Sequence, residues 1–174
     1  RGSSRFVFKG STPRDRSNLY TWSGNGEIEK ITKLNPFLIN RLLGKQEPVI
    51  YKARDGKEIE GIMIYPPEYD GGNTYPLILY IHGGPESHET NGWLNSYSTP
   101  GQVMAVKGYL VLYLNYRSST GYGVEFAMEG FEDPAGKEFD DIADAIDWAI
   151  LEKGADPDRV GMAGGSYGGY ASAW

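Results

Sequence analysis

Two glycines flank a serine at fixed spacing in the run Gly164-Gly165-Ser166-Tyr167-Gly168, a G-x-S-x-G pattern. A serine hydroxyl is a weak nucleophile unless the backbone presents it and a base activates it. Here a short apolar stretch, Val160 to Ala163, leads in, and the small-residue run Tyr170-Ala171-Ser172-Ala173 follows. That order predicts a strand, a sharp turn and a helix, with Ser166 at the apex. Strand and helix then pass so closely that a Cβ two residues to either side would clash, which accounts for the glycines. Backbone strain of this kind persists where it exposes a reactive group. The competing reading is a glycine-rich turn with an idle serine.

Acyl transfer at a serine creates an oxyanion, and preorganised N–H donors must meet it. The residue after the nucleophile supplies one such donor, here Tyr167. A loop of the form H-G-G-x after an earlier strand supplies the other, and His82-Gly83-Gly84-Pro85 follows the apolar run Leu77 to Ile81. His82 is expected to hold that loop through its side chain rather than to act as base. On elbows of this type the partners follow in the order Ser, Asp/Glu, His. The eight residues after Ser166 contain none of these, and both histidines, His82 and His88, lie upstream. The sequence is therefore expected to carry a nucleophile without its triad Asp and His, as a fragment of an enzyme that is inactive alone. It opens on Arg1 rather than Met, so its start is expected not to be native.

The elements that must position these residues alternate. Residues 1–34 read as short strand-like pieces separated by turns at Ser11 to Pro13 and at Gly24-Asn25-Gly26, a hairpin signal. Three such strands make no core alone and look like the end of a larger β structure. Asn35-Pro36 reads as the cap and first position of a linker helix to about Leu43, within 35–46. From residue 47 onward a hairpin is expected, Pro48 to Arg54 and Glu58 to Tyr65, turning at Asp55-Gly56. Leu77 to Ile81 and Tyr109 to Leu114 read as buried strands of a parallel sheet. Thr99 to Lys107 reads as a helix. Lys137 to Lys153 is the clearest helix, with Phe139, Ile142, Ala143, Ile146, Ala149 and Ile150 as its apolar stripe. Asp140, Asp141, Asp144 and Asp147 read as its solvated face. Strand–helix–strand alternation predicts an α/β fold.

Composition removes several classes of function. A net charge of −6 without a basic stripe argues against a nucleic-acid partner. The longest apolar runs are strand-length, so no membrane span is expected. With no cysteine there is neither a disulfide nor a thiol–zinc site. Two histidines six positions apart make a poor ligand set, so no metal and no cofactor are expected. The compartment, cytoplasmic or periplasmic, stays open, as does oligomerisation.

The runs Leu79 to Pro85, Asn115-Tyr116-Arg117-Ser118-Ser119-Thr120-Gly121-Tyr122-Gly123 and Gly164 to Tyr170 resemble the prolyl oligopeptidase family of serine peptidases. The His-Gly-Gly-Pro form is most similar to its acylaminoacyl-peptidase and dipeptidyl-peptidase-like branch. Asp55 to Gly61 and Thr32 to Asn35 also fit, so the resemblance runs along nearly the whole chain. It implies the N-terminal half of an α/β-hydrolase domain over 47–174, preceded by the last strands of a β-propeller, residues 1 to about 34, that filters substrates by size. It implies Ser166 as nucleophile and the N–H groups of Tyr167 and Gly84 as the oxyanion hole. Ser118 stands where many relatives have glycine. The implied function is a serine peptidase acting on short peptides through an acyl-enzyme. The alternatives are a carboxylesterase of the same fold and a non-catalytic truncated module.

Overall fold

Six consecutive residues, Leu110–Asn115, are all buried, and this strand, β7, sits at the centre of the main sheet. Its side chains alternate between two cores. Leu110, Leu112 and Leu114 pack on one face, and Val111 and Tyr113 on the other, so both faces must be covered. The computed structural model describes residues 5–174, so residues 1–4 of the expected N-terminal strands lie outside it.

Ahead of β7 come β1 (Phe6–Thr12), β2 (Asp15–Trp22), β3 (Glu29–Lys30), β4 (Gln46–Lys52), β5 (Glu58–Ile64), β6 (Tyr75–Ile81) and helix α1 (Gly101–Val106). After it come α2 (Val124–Met128), α3 (Lys137–Lys153), β8 (Ala155–Gly164) and α4 (Tyr167–Ala173). The main sheet has the order β4-β5-β7-β6-β8. β6 pairs in parallel with both β7 and β8, in a register that sets Ile81 beside Leu114 and Gly164. The α/β expectation holds. The sheet is nevertheless mixed rather than all parallel, because the β4–β5 hairpin joins β7 antiparallel. A tight turn at Gly56, with φ +88°, allows only an antiparallel pair.

α3 covers one face of this sheet and α1 the other. Ile142, Ala145 and Ala149 of α3 join Leu77, Leu79 and Leu112 in the larger core. Ala105 of α1 joins Ile62, Ile64 and Val111 in the smaller one. The expected boundaries of α3 match, and Gly154 ends it with φ 70°. Its buried side differs from the expected stripe. Glu138 and Asp141 are buried with Ile142, Ala145 and Ala149, while Ala143 is exposed. Asp141 is thus no part of a solvated face, because Arg117 rises to meet it under the helix.

The expected linker helix shrinks to a single 3-10 turn, Pro36–Leu38. Asn35 does not cap it, since its Nδ2 donates instead to the Asp15 carboxylate and the Arg16 carbonyl. The helix expected from Thr99 starts two residues later, with Pro100 at its cap and the Thr99 carbonyl accepting from the Tyr113 hydroxyl at 2.8 Å.

β1, β2 and β3 form a separate antiparallel sheet. Its tight connection lies between Thr12 and Asp15, and the Gly24-Asn25-Gly26 segment belongs to a longer loop. Phe6 lies tilted against Trp22 and Phe8 stacks on Tyr20, yet Phe6, Val7, Leu19 and Trp22 stay exposed.

Candidate active site

β8 ends at Gly164 and α4 begins at Tyr167, so Ser166 falls on the turn between them. Its backbone sits at φ 55°, ψ −122°, a region that L-residues occupy only at a cost. The side chain is exposed at this apex. The glycines are steric necessities. A Cβ at Gly164 would lie 2.4 Å from the Ile81 carbonyl oxygen and 2.5 Å from the Gly168 carbonyl carbon. One at Gly168 would lie 1.9 Å from the same Ile81 oxygen. Strand β6 therefore passes directly beneath the turn, and β6 carries the second motif at its end.

That loop, His82 to Pro85, lies against the elbow. A Cβ at Gly83 would come within 3.1 Å of the Ser166 Cβ and 2.9 Å of the Gly165 carbonyl oxygen. Gly84 has φ +133°, and a Cβ there would press on the Glu86 nitrogen at 2.5 Å. Among the described residues, the N–H groups of Tyr167 and Gly84 meet no backbone acceptor. The structure thus brings Ser166, Tyr167 and the Gly83-Gly84 turn together. A hydroxyl presented on a strained apex against a glycine turn is an arrangement in which a nucleophile can meet a carbonyl.

His82 is buried and anchors the loop, as its sequence position suggests. Its Nδ1 lies 2.9 Å from the Gly83 carbonyl and therefore carries the proton, and its Nε2 lies 2.9 Å from Ser119 Oγ, whose own proton goes to the Tyr116 carbonyl at 2.6 Å. Burial pulls its pKa below the usual histidine value, against the opposing hydrogen bond to Gly83. His88, on the exposed rim, lies 3.0 Å from Thr120 Oγ1 through Nδ1. Among the described residues, no cluster of three metal-ligating side chains exists, and no helix is long and apolar enough to cross a membrane.

The run 115–123 is the loop's scaffold. Asn115 Oδ1 accepts the Glu89 N–H at 2.7 Å, and its Nδ2 donates to the Glu89 carbonyl at 2.9 Å. The Thr120 N–H donates to the Ser87 carbonyl at 2.9 Å. Tyr116 donates its hydroxyl to the His82 carbonyl at 2.7 Å and stacks on the His82 ring, centroids 4.5 Å apart. Ser118 adopts φ 79°, which explains why glycine suits this position. Its buried Oγ has no partner among the described residues.

Three residues beneath the site were given no role there by sequence reasoning, Asp141 among them having been read as solvated. Arg117 is 2% exposed and donates from its backbone N, Nε and Nη2 to Asp141, which is fully buried. Its Nη1 reaches Asp55 in the β4–β5 turn at 2.5 Å. These carboxylates hold the guanidinium above its ordinary pKa. Burial pushes the Asp141 carboxyl up, with the Arg117 donors pulling it back. Glu138 is the third. It accepts the Tyr167 hydroxyl at 2.6 Å and the Ala135 N–H at 2.7 Å. The signal was available: 138, 141, 142, 145 and 149 share one helical face, so two acids sit on a buried stripe.

A family model described as the prolyl oligopeptidase family matches residues 95–174. The chain is 39% identical over 171 residues to an uncharacterized peptidase, YuxL, of Bacillus subtilis, covering 97% of this chain and 25% of that one. It is 37% identical over 153 residues to dipeptidyl aminopeptidase BIII of Pseudoxanthomonas mexicana, covering 84% and 22%. Among solved structures, acylaminoacyl peptidase of Pyrococcus horikoshii superposes with a TM-score of 0.82 at 32% identity, over 99% of this chain and 27% of that one. The chain thus spans about a quarter of the length of these relatives.

Proposed function

We propose, for a chain that belongs to the prolyl oligopeptidase family, that Ser166 is the nucleophile of a serine peptidase cleaving short peptides through an acyl-enzyme. The observation that carries this reading is Ser166 at φ 55°, between two glycines that admit no Cβ and against the Gly83-Gly84 turn.

In the mechanism that follows, Ser166 Oγ attacks the scissile carbonyl carbon as its proton passes to a base. The carbonyl oxygen becomes an oxyanion and accepts from the N–H groups of Tyr167 and Gly84. Collapse passes the proton from the base to the leaving nitrogen, expels the amine and leaves an acyl ester on Ser166, which water, deprotonated in turn by the base, then hydrolyses. On elbows of this type the base is a histidine oriented by an acid, both following the serine in chain order. Within these 174 residues both histidines precede Ser166 and are engaged with Gly83, Ser119 and Thr120, so residues 1–174 alone are expected to turn over no substrate.

Residues 1–34 are read as the last strands of a β-propeller, 35–46 as a linker and 47–174 as part of the hydrolase domain. The exposed Phe6, Val7 and Trp22 support this, since such a sheet lacks a cover for its apolar side chains. The relatives named for dipeptidyl and acylaminoacyl peptidase activity support peptides as substrates.

The test is turnover by the whole protein of chromogenic dipeptidyl and N-acylaminoacyl anilides, with a simple carboxylic ester alongside. Ser166→Ala should lower kcat by roughly 10⁴–10⁶-fold. Unchanged turnover would remove Ser166 from the mechanism, and Ser166-dependent cleavage of the ester alone would indicate a carboxylesterase.

A further inference from the structure

The two proposed oxyanion arms are each tied down by a tyrosine hydroxyl. On the loop side, Tyr116 donates to the His82 carbonyl at 2.7 Å. On the elbow side, Tyr167 donates to Glu138 Oε1 at 2.6 Å. The two rings lie roughly parallel, with centroids 6.5 Å apart and planes 20° from one another. Glu138 belongs to neither motif. It sits in the first turn of α3, 1% exposed, and its Oε1 also accepts the Ala135 N–H at 2.7 Å. Its Oε2 has no partner among the described residues. A buried carboxylate with one oxygen unsatisfied costs stability, a cost that its bonds to Tyr167 and Ala135 must offset. Helix packing alone therefore does not account for a carboxylate at this position.

We propose that Glu138 is a positioning residue for the reaction at Ser166: by holding the Tyr167 hydroxyl it fixes the direction of the Tyr167 backbone N–H. Tyr167 has two side-chain torsions, and its ring is packed edge-on against Phe139 and Tyr170. Anchoring the hydroxyl fixes the far end of a short, stiff lever whose near end is the donor itself. That donor adjoins a strained residue, which relaxes by rotation unless its surroundings hold it, and a misplacement of about 1 Å costs on the order of 10²-fold in rate. The inference rests on the reading of Ser166 and Tyr167 given above.

The test uses the whole protein with a peptide anilide, comparing kcat and KM for Tyr167→Phe, Glu138→Leu, Glu138→Gln and the Tyr167→Phe/Glu138→Leu double variant. Tyr167→Phe keeps the ring, the backbone N–H and the Glu138–Ala135 bond. It is expected to lower kcat on the order of 10- to 100-fold, with KM nearly unchanged, short of the roughly 10²–10³ for complete loss of a donor. Glu138→Leu should match it, and the double variant should be no worse than either single one. Glu138→Gln retains an acceptor oxygen for Tyr167, so kcat should recover to within a few-fold of the parent. The inference is overturned if Tyr167→Phe leaves kcat within about twofold, or if the two substitutions multiply. Should Glu138→Leu fail to fold, Tyr167→Phe and Glu138→Gln decide the matter. Ser166→Ala, run in parallel, separates the two levels. If it abolishes turnover while Tyr167→Phe has no effect, only the role of Glu138 falls; if it leaves turnover intact, the reading of Ser166 falls with it.

Discussion

At the scale of residues, the backbone does the selecting. Ser166 holds φ 55° because Gly164 and Gly168 let β6 run against the turn. Gly84 carries a comparable constraint. Gly84→Val would place a β-branched side chain at φ +133° and against the Glu86 nitrogen, turning its N–H away. With one donor lost, kcat should fall by about 10²–10³ in a protein that still folds. Near-normal kcat would show that the Gly84 N–H is not used. His82 gives a pH prediction. Its folded pKa is depressed by burial, so as pH falls through about 6.5 the unfolded chain takes up a proton that the folded chain refuses. His82 stabilises the fold above that pH and loses its contribution below it. The stability gap between the parent and His82→Gln should therefore be wider at about pH 7.5 than at about pH 5, as read by denaturant midpoints. A gap that widened on acidification would contradict the neutral, buried assignment.

At the scale of elements, the charge beneath α3 ties the site together. Arg117 links Asp141 on the helix to Asp55 in the β4–β5 turn, beside the residues that support the His82 loop. Arg117→Met would strand the Asp141 carboxylate without a partner, costing about 3–5 kcal/mol near neutral pH. To remain buried, Asp141 must then bind a proton, so its folded pKa rises further above the unfolded value. The penalty should thus grow as pH rises above about 4 and shrink on acidification. A pH-independent penalty would mean that the pair contributes packing alone. This network also marks the limit of what the sequence discloses. The buried strands, the G-x-S-x-G turn and the limits of α3 are legible, because each rests on local periodicity or on a glycine that sterics demand. Glu138 and Asp141 are not, since their partners Tyr167 and Arg117 are 29 and 24 residues away along the chain. Acids on a helix read as solvated until the element facing them is known. The linker helix failed for a similar reason: Asn35 found Asp15 and Arg16, 20 and 19 residues upstream, in place of its own helix.

At the scale of the whole molecule, two sheets divide the labour. Every residue assigned to the chemistry lies just past the ends of β6 and β8 of the mixed sheet, while the three-stranded sheet holds exposed apolar side chains and none of those residues. If that sheet closes a propeller over the site, short peptides should be cleaved and the same sequence within a folded domain should not. Equal rates on both substrates would leave the three-stranded sheet with no filtering role. Ser166 itself is tested most directly by covalent trapping. The whole protein is treated with a fluorophosphonate and digested, and the modified residue is located by mass spectrometry while residual peptidase activity is followed. A single adduct on Ser166, formed in step with loss of turnover, is the predicted result. An adduct on another residue accompanying the loss, or full activity with Ser166 modified, would contradict the assignment.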